Sequence, residues 1–334
     1  MNVEPFSLPL SRPLSTADGT IDERAGFLVR ADLDGQTGVG ESTPLPGWTE
    51  SLDDCESALR SVSNPVAALE DGTLADSPAA RHGVSLAVLD ARGRAAGRPL
   101  YRHLGATGER REVPVNATVG DGDPGETARA AARAVEASYP AVKVKVGARP
   151  LSADLERVRA LRARCPDVEL RADANGAWDR PTAERALAAL ADLDAAFVEQ
   201  PLAATDLTGH ADLAGGATAV ALDEGLVEHG VDAVLEAGAA DAVVCKPMAL
   251  GGVDAARDAA MQAREAGLVT VVTTTIDGAV ARAGAVHLAA SLPDVPACGL
   301  ATGDRFATDL REGVALVRSG AVAVPQGKGN IPPP

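Results

Sequence analysis

The chemistry in this 334-residue chain gathers around two lysines set two apart, Lys143 and Lys145, in residues 141–147 (AVKVKVG). In a strand both point to the same face, so two like charges share one wall. The whole chain holds only four lysines, Lys143, Lys145, Lys246 and Lys328, and its other basic residues are arginine. A sequence that otherwise avoids lysine has kept a pair inside an apolar run. Three acids stand in comparable places: Asp173 in RADANGAW, Glu199 in FVEQP and Asp223 in ALDEG. Converging carboxylates repel one another unless a hard cation joins them, and an oxygen-only set suits Mg²⁺, with Mn²⁺ as the alternative. A substrate carboxylate on such a cation would lie between Lys145 and Lys246, and the enediolate formed on loss of its α-proton would be stabilised there. A lysine base works as the free amine, a form that a second ammonium beside it favours.

These residues must be positioned by elements that repeat. The intervals are 28 residues from Lys145 to Asp173, 26 to Glu199, 24 to Asp223 and 23 to Lys246. That period is one strand plus one helix. Strand patterns fall at 113–119, 141–146, 168–174, 195–200, 219–224, 241–247, 268–275 and 296–302, with Ala- and Arg-rich amphipathic helices between them. Eight such units predict a (β/α)₈ barrel, in which every strand's C-terminal end opens at one mouth. Lys145 closes the second strand and Lys246 the sixth, so they are expected to face each other across it. Arg171, Asp173 and Asn175 alternate onto one face, which makes Arg171 and Asn175 candidates to contact the substrate or the groups that touch it, with ordinary polar packing inside the barrel as the alternative. Glu224, next to Asp223, is expected to point the other way and support the site from behind.

Before the barrel, residues 3–40 read as an antiparallel meander with turn signals at 17–19 and 34–38, and 11–24 reads as a polar, mobile loop. Residues 40–48 (GESTPLPGW) carry one of two tryptophans, and helices are expected at 51–69 and 79–96. The predicted organisation is an α+β capping domain over 1–110, a barrel over 111–303 and a tail over 304–334 that returns to the cap.

The motifs KVK, RADANGAW, VEQP, ALDE and CKP, in that order on successive strands, resemble the enolase superfamily and its muconate-lactonising subgroup. The cap-plus-barrel layout of that family covers essentially the whole chain. The resemblance implies that Lys145 and Lys246 flank the substrate and that Asp173, Glu199 and Asp223 bind Mg²⁺. It also implies Lys145 as the base and Lys246 as the cation that stabilises the enediolate. PLSRPLSTADG, GES..PLPGW, the Arg171–Asp173 pair, Asn175 and TTTIDG (273–278) resemble subgroup members that dehydrate a succinyl-hydroxycyclohexadiene carboxylate. By that likeness Thr273 and Thr274 join the substrate contacts, and Lys143, beside the base, is a further candidate to meet the substrate carboxylate. Racemisation of N-acylamino acids and epimerisation of dipeptides are the rival activities, although dipeptide epimerases tend to carry Asp-x-Asp after strand eight and CGLATGD offers only Asp304. A non-catalytic binding barrel would be credible only if one of these elements were missing.

The formal charge of −16 argues against nucleic acid or an anionic membrane as partner, because both are polyanions. A small carboxylate is the expected ligand, and assembly into a homo-oligomer is left open. Four widely spaced cysteines, an N-terminus without an apolar core of signal length and no spanning run lead to the expectation of a cytoplasmic protein. The acidic excess and the preference for Arg over Lys suggest adaptation to a salt-rich cytoplasm. Melting temperature measured in a KCl series should therefore rise with salt, and a steady fall across the series would refute that adaptation.

Overall fold

The alternation in residues 26–33 builds the middle strand of a three-stranded antiparallel sheet, β1 (Asn2–Thr16), β2 (Gly19–Leu33) and β3 (Gln36–Ser42). The computed structural model describes residues 1–16 and 19–332. Phe27, Val29 and Ala31 face inward from β2 and pack on helices α1 (Leu52–Ser61), α2 (Pro65–Glu70) and α3 (Pro78–Ala95). β3 lies directly on α3, for a Cβ at Gly38 or Gly40 would run into the carbonyl of Ala87 or Gly83.

Two expectations for this unit are corrected. In the stretch 11–24, read as a loop, residues 11–16 and 19–24 extend the β1–β2 pairing, with Leu14 opposite Ile21 and a register shift between Pro9 and Leu14. Pairing with a neighbour satisfies backbone groups that polar composition alone cannot place. Residues 17 and 18 of the turn signal lie outside the described residues. The single helix expected at 51–69 is two, because the ring of Pro65 cannot continue α1 and instead starts α2, with Asn64 capping the amides of Val66 and Ala67.

The barrel strands run in sequence order as one parallel sheet. After a short β4 (Glu112–Pro114) come β5 (Asn116–Val119), β6 (Ala141–Lys145), β7 (Glu169–Asp173), β8 (Ala195–Glu199), β9 (Ala219–Leu222), β10 (Ala242–Cys245) and β11 (Val269–Val272). The expected eighth strand, 296–302, forms no ladder of its own. It closes the ring through two parallel bridges, Val115 to Cys298 and Thr273 to Gly299. The strand expected at 113–119 is divided at Val115, where β4 leaves the barrel to pair with residues Ala321–Ala323 of the tail. Outward-facing Val142, Val144, Leu170, Val198 and Val220 are buried under the helices, which fixes the opposite face of each strand toward the barrel axis.

The tail divides its contacts. β12 (Val317–Arg318) and β13 (Ala321–Ala323) pair with each other and with β4, while Phe306 bridges to Leu10 and Asn330 donates its amide to Asp90 of α3. His287, in the helix Ala279–Ser291, holds the end of the tail. Its Nε2 lies 2.7 Å from the Asn330 carbonyl, and its Nδ1 accepts the Tyr101 amide at 3.2 Å. One ring nitrogen therefore donates and the other accepts, which only the neutral imidazole can do. Burial lowers the His287 pKa to about 4. Because the unfolded chain binds this proton near pH 6.5 and the native chain near 4, the penalty is absent at neutral pH. It grows as pH falls between those values, to roughly 3 kcal/mol. Urea unfolding from pH 7 to 4 should lose stability more steeply in the native protein than in His287→Gln, and parallel slopes would count against this account.

Candidate active site

Strand ends supply the side chains. Asp173 and Glu199 are the last residues of β7 and β8 and are direct register partners, and Lys145 ends β6 opposite Asp173. Asp223 lies just beyond β9, where the chain turns into the helix Glu224–Ala237, and Lys246 follows β10. Gln200 sets that turn. Fully buried after β8, it accepts the amides of Asp223 and Gly225 on its Oε1 and donates to the Leu202 carbonyl. The cap closes the other side with the turn 45–49, in which the amides of Trp48 and Thr49 both reach the Leu45 carbonyl. Between cap and barrel lies a cavity of about 580 Å³, within the range of small-molecule sites.

The three acids are buried, and lysines lie against all of them. Lys143 Nζ bridges Asp173 Oδ2 at 2.9 Å and Glu199 Oε1 at 2.7 Å. Lys145 Nζ also reaches Asp173 Oδ2, at 2.7 Å, and Asn175 Oδ1 at 2.6 Å. Lys246 Nζ sits 2.5 Å from Asp223 Oδ2 and 3.3 Å from the centroid of the Trp48 ring, so one ammonium is shared by a carboxylate and an indole face. Being four strands apart in a ring of eight, Lys145 and Lys246 belong to opposite sides of the mouth.

Burial and neighbouring charge pull these groups apart. Burial opposes the Lys143 ammonium, yet Asp173, Glu199 and Asp223 together hold its pKa above the usual lysine range. For Asp173, burial is outweighed by Lys143 and Lys145, which keep the carboxyl below its ordinary value. Glu199 goes the other way, to about 7, because burial and the Asp173 charge exceed the help from Lys143. Asp223 rises to about 6 through burial, against the pull of Lys246.

The donor set is one that a hard cation would take: three buried carboxylates, no sulfur or nitrogen ligand, and an Asp223 Oδ1 that is buried without a partner. As placed, the acids are held by ammonium groups, and among the described residues no three His, Cys, Asp or Glu side chains converge closely enough to ligate one ion. Lys143, sitting between Asp173 and Glu199, fills the position that a cation joining them would need.

Two sequence expectations are corrected here. Arg171 does not reach the cavity. It sits two residues, about one pleat repeat, below Asp173 on β7. There its buried guanidinium pairs with Glu169 at 2.6 Å, donates to the Ala297 carbonyl and lies 4.9 Å from the Phe197 ring centroid, filling the barrel interior. Glu224 does not point away. Strand alternation ends at Leu222, so Glu224 starts a helix and lines the cavity, accepting from Asn175 Nδ2 at 3.0 Å. Asn175, with φ of 44° in the left-handed region that asparagine tolerates, thereby links Lys145 to Glu224. Thr273 and Thr274 line the cavity too, bonded to Gly299 and Thr302 of the eighth segment. Asn116 and Arg305 also line the cavity, and no local pattern in the sequence marks either, whereas Gln200 stands in the VEQP motif.

These features have counterparts. Residues 126–330 match the family model described as enolase C-terminal domain-like, and residues 2–91 match the MenC N-terminal domain. The chain belongs to the enolase superfamily. It is 31% identical to a chloromuconate cycloisomerase of Cupriavidus pinatubonensis over 96% of this chain and 92% of that one. With an o-succinylbenzoate synthase of Thermobifida fusca the identity is 41%, over 57% of this chain and 59% of the other. A dipeptide epimerase of Enterococcus faecalis, solved with Mg and the dipeptide L-Leu-L-Tyr, superposes with a TM-score of 0.87 at 26% identity, covering 98% of this chain and 97% of that one. The chain therefore shares a fold and family with enzymes of several activities.

Lys143 offers the cleanest test of the charge balance. Lys143→Met leaves Asp173 and Glu199 buried with less counter-charge and should cost roughly 3 to 5 kcal/mol of unfolding free energy. Urea denaturation in EDTA measures it, and an unchanged midpoint would show that the bridge is not needed.

Proposed function

We propose that this protein is an o-succinylbenzoate synthase, a hydro-lyase that dehydrates 2-succinyl-6-hydroxy-2,4-cyclohexadiene-1-carboxylate in menaquinone biosynthesis. The observation that carries this reading is the placement of Lys145 and Lys246 on opposite sides of a cavity whose floor is a buried, oxygen-only set of acids. The match of residues 2–91 to the MenC N-terminal domain and the likeness to the Thermobifida fusca synthase support the choice among family activities.

Asp173, Glu199 and Asp223 would hold Mg²⁺, with Mn²⁺ as a substitute. When bound, the ion neutralises negative charge on the substrate carboxylate as the neighbouring carbon loses its proton. Lys145, held by Asp173 and Asn175 and open to the cavity, takes that α-proton. Lys246, fixed between Asp223 and Trp48, keeps an ammonium on the far side of the developing charge. The C–O bond to the ring hydroxyl then breaks, and the proton carried by Lys145 is in place to leave with the hydroxide as water. The ring becomes aromatic, so little further assistance is required of the protein. Lys143 balances Asp173 and Glu199, Glu224 steadies Asn175, and Thr273 and Thr274 offer hydroxyls along the cavity wall. Four free, buried cysteines support a reducing, cytoplasmic setting.

A second reading draws on the same observation. Lysines on opposite faces also suit removal of an α-proton on one side and its return on the other, which is racemisation of an N-succinylamino acid. A side-by-side assay of the two reactions decides between them, with dehydration expected to be the faster by kcat/KM. Racemisation without dehydration would overturn the proposal. Lys145→Ala should lower dehydration 10²- to 10⁴-fold with the fold kept, as judged by circular dichroism. A loss of less than about tenfold would remove Lys145 as the base.

A further inference from the structure

The charges around the cavity are not evenly matched. Lys143, Lys145 and Lys246 each have an acid within 2.9 Å at the floor. Arg305 is the fourth cation lining the cavity, and among the described residues its guanidinium makes no ion pair and no hydrogen bond. It is exposed, so solvent covers a charge that a ligand could meet.

Its backbone is nonetheless fixed. Arg305 ends the short 3₁₀ turn Gly303–Arg305, and its amide donates to the Thr302 carbonyl at 3.2 Å. Thr302 is tied to Thr274 at 3.1 Å, and both line the cavity. Phe306, the next residue, is buried and bridges to Leu10 of the cap, and the Ala307 amide reaches the Pro9 carbonyl at 2.9 Å. The base of the side chain is therefore clamped between the eighth barrel segment and β1. Leu14 and Ile276 line the same cavity and offer apolar contact.

We infer that Arg305 binds the distal carboxylate of a substrate whose other carboxylate lies at the acid and lysine cluster. A guanidinium carried on a fixed backbone at the mouth suits a planar carboxylate, which it can grip with two parallel hydrogen bonds. It offers nothing to a neutral acyl tail and repels an ammonium, so it selects succinyl-bearing ligands over dipeptides. The inference rests on the proposed function only for which succinyl compound is natural; the residue's role as an anion clamp is independent of the reaction that follows.

The test compares 2-succinylbenzoate with 2-butyrylbenzoate, in which a methyl group replaces the distal carboxylate, by calorimetry on the Mg²⁺-loaded protein. The native protein should prefer the succinyl ligand by about tenfold or more. Arg305→Gln should erase that preference while leaving butyryl affinity within about twofold, Arg305→Lys should restore part of it, and added salt should shrink it. Under turnover the Gln variant should raise KM with kcat nearly kept. If neither benzoate binds, N-succinyl- and N-butyrylphenylglycine replace them as the pair. A preference that survives Arg305→Gln, or no preference in the native protein with either pair, overturns the inference. Arg305-dependent preference in a protein that racemises and does not dehydrate would overturn the proposed function alone. Dehydration with an Arg305-independent preference would overturn the clamp alone.

Discussion

The constraint on which the site depends is the burial of like charge. Four carboxylates, Asp173, Glu199, Asp223 and Glu224, line one cavity, and the first three are almost without solvent. Water cannot screen them there, so their repulsion has to be met by cations or by protons. The chain meets it with lysine, and the opposite shifts of Asp173 and Glu199 show how little compensation is left over. A divalent ion would concentrate the same positive charge at one point and release ammonium groups toward a substrate. The instability of the cluster is thus continuous with its capacity to bind.

The barrel alone does not make this cavity. The cap is fastened to the seventh βα turn by two buried charges. Glu41 Oε1 and Oε2 accept the amides of Gly278, Val280 and Ala281 at the start of the helix Ala279–Ser291, and burial together with Asp277 lifts its pKa to about 7. Arg24 donates to the carbonyls of Thr43, Pro44 and Ile276. These bonds fix the segment that carries Thr273 and Thr274 relative to the turn that carries Trp48. The indole is therefore held against Lys246 by the cap, and the sixth strand's lysine is positioned by residues some 200 places away in sequence.

Much of the architecture was legible without coordinates, because the spacing of Lys145, Asp173, Glu199, Asp223 and Lys246 counts out one strand and one helix at a time. Residues at strand ends were placed correctly at the mouth, since alternation and strand polarity leave one option. Alternation misleads where a strand stops. It predicts Glu224 at the back of the site, yet Glu224 begins a helix whose period differs, and it predicts Arg171 at the mouth through a face that Arg171 shares with Asp173 at a different height.

Sequence by itself determined the repeating βα frame, the cap before it and the identity of the charged residues at the strand ends, because period and residue type are local properties of the chain. Tertiary structure alone decided that 296–302 closes the ring through bridges and that residues 11–16 and 19–24 join a hairpin. It also decided that Lys143 spans two acids, that Trp48 covers Lys246 and that Arg305 has no side-chain partner among the described residues. Each of those depends on which distant groups the fold brings together, and no local pattern encodes that.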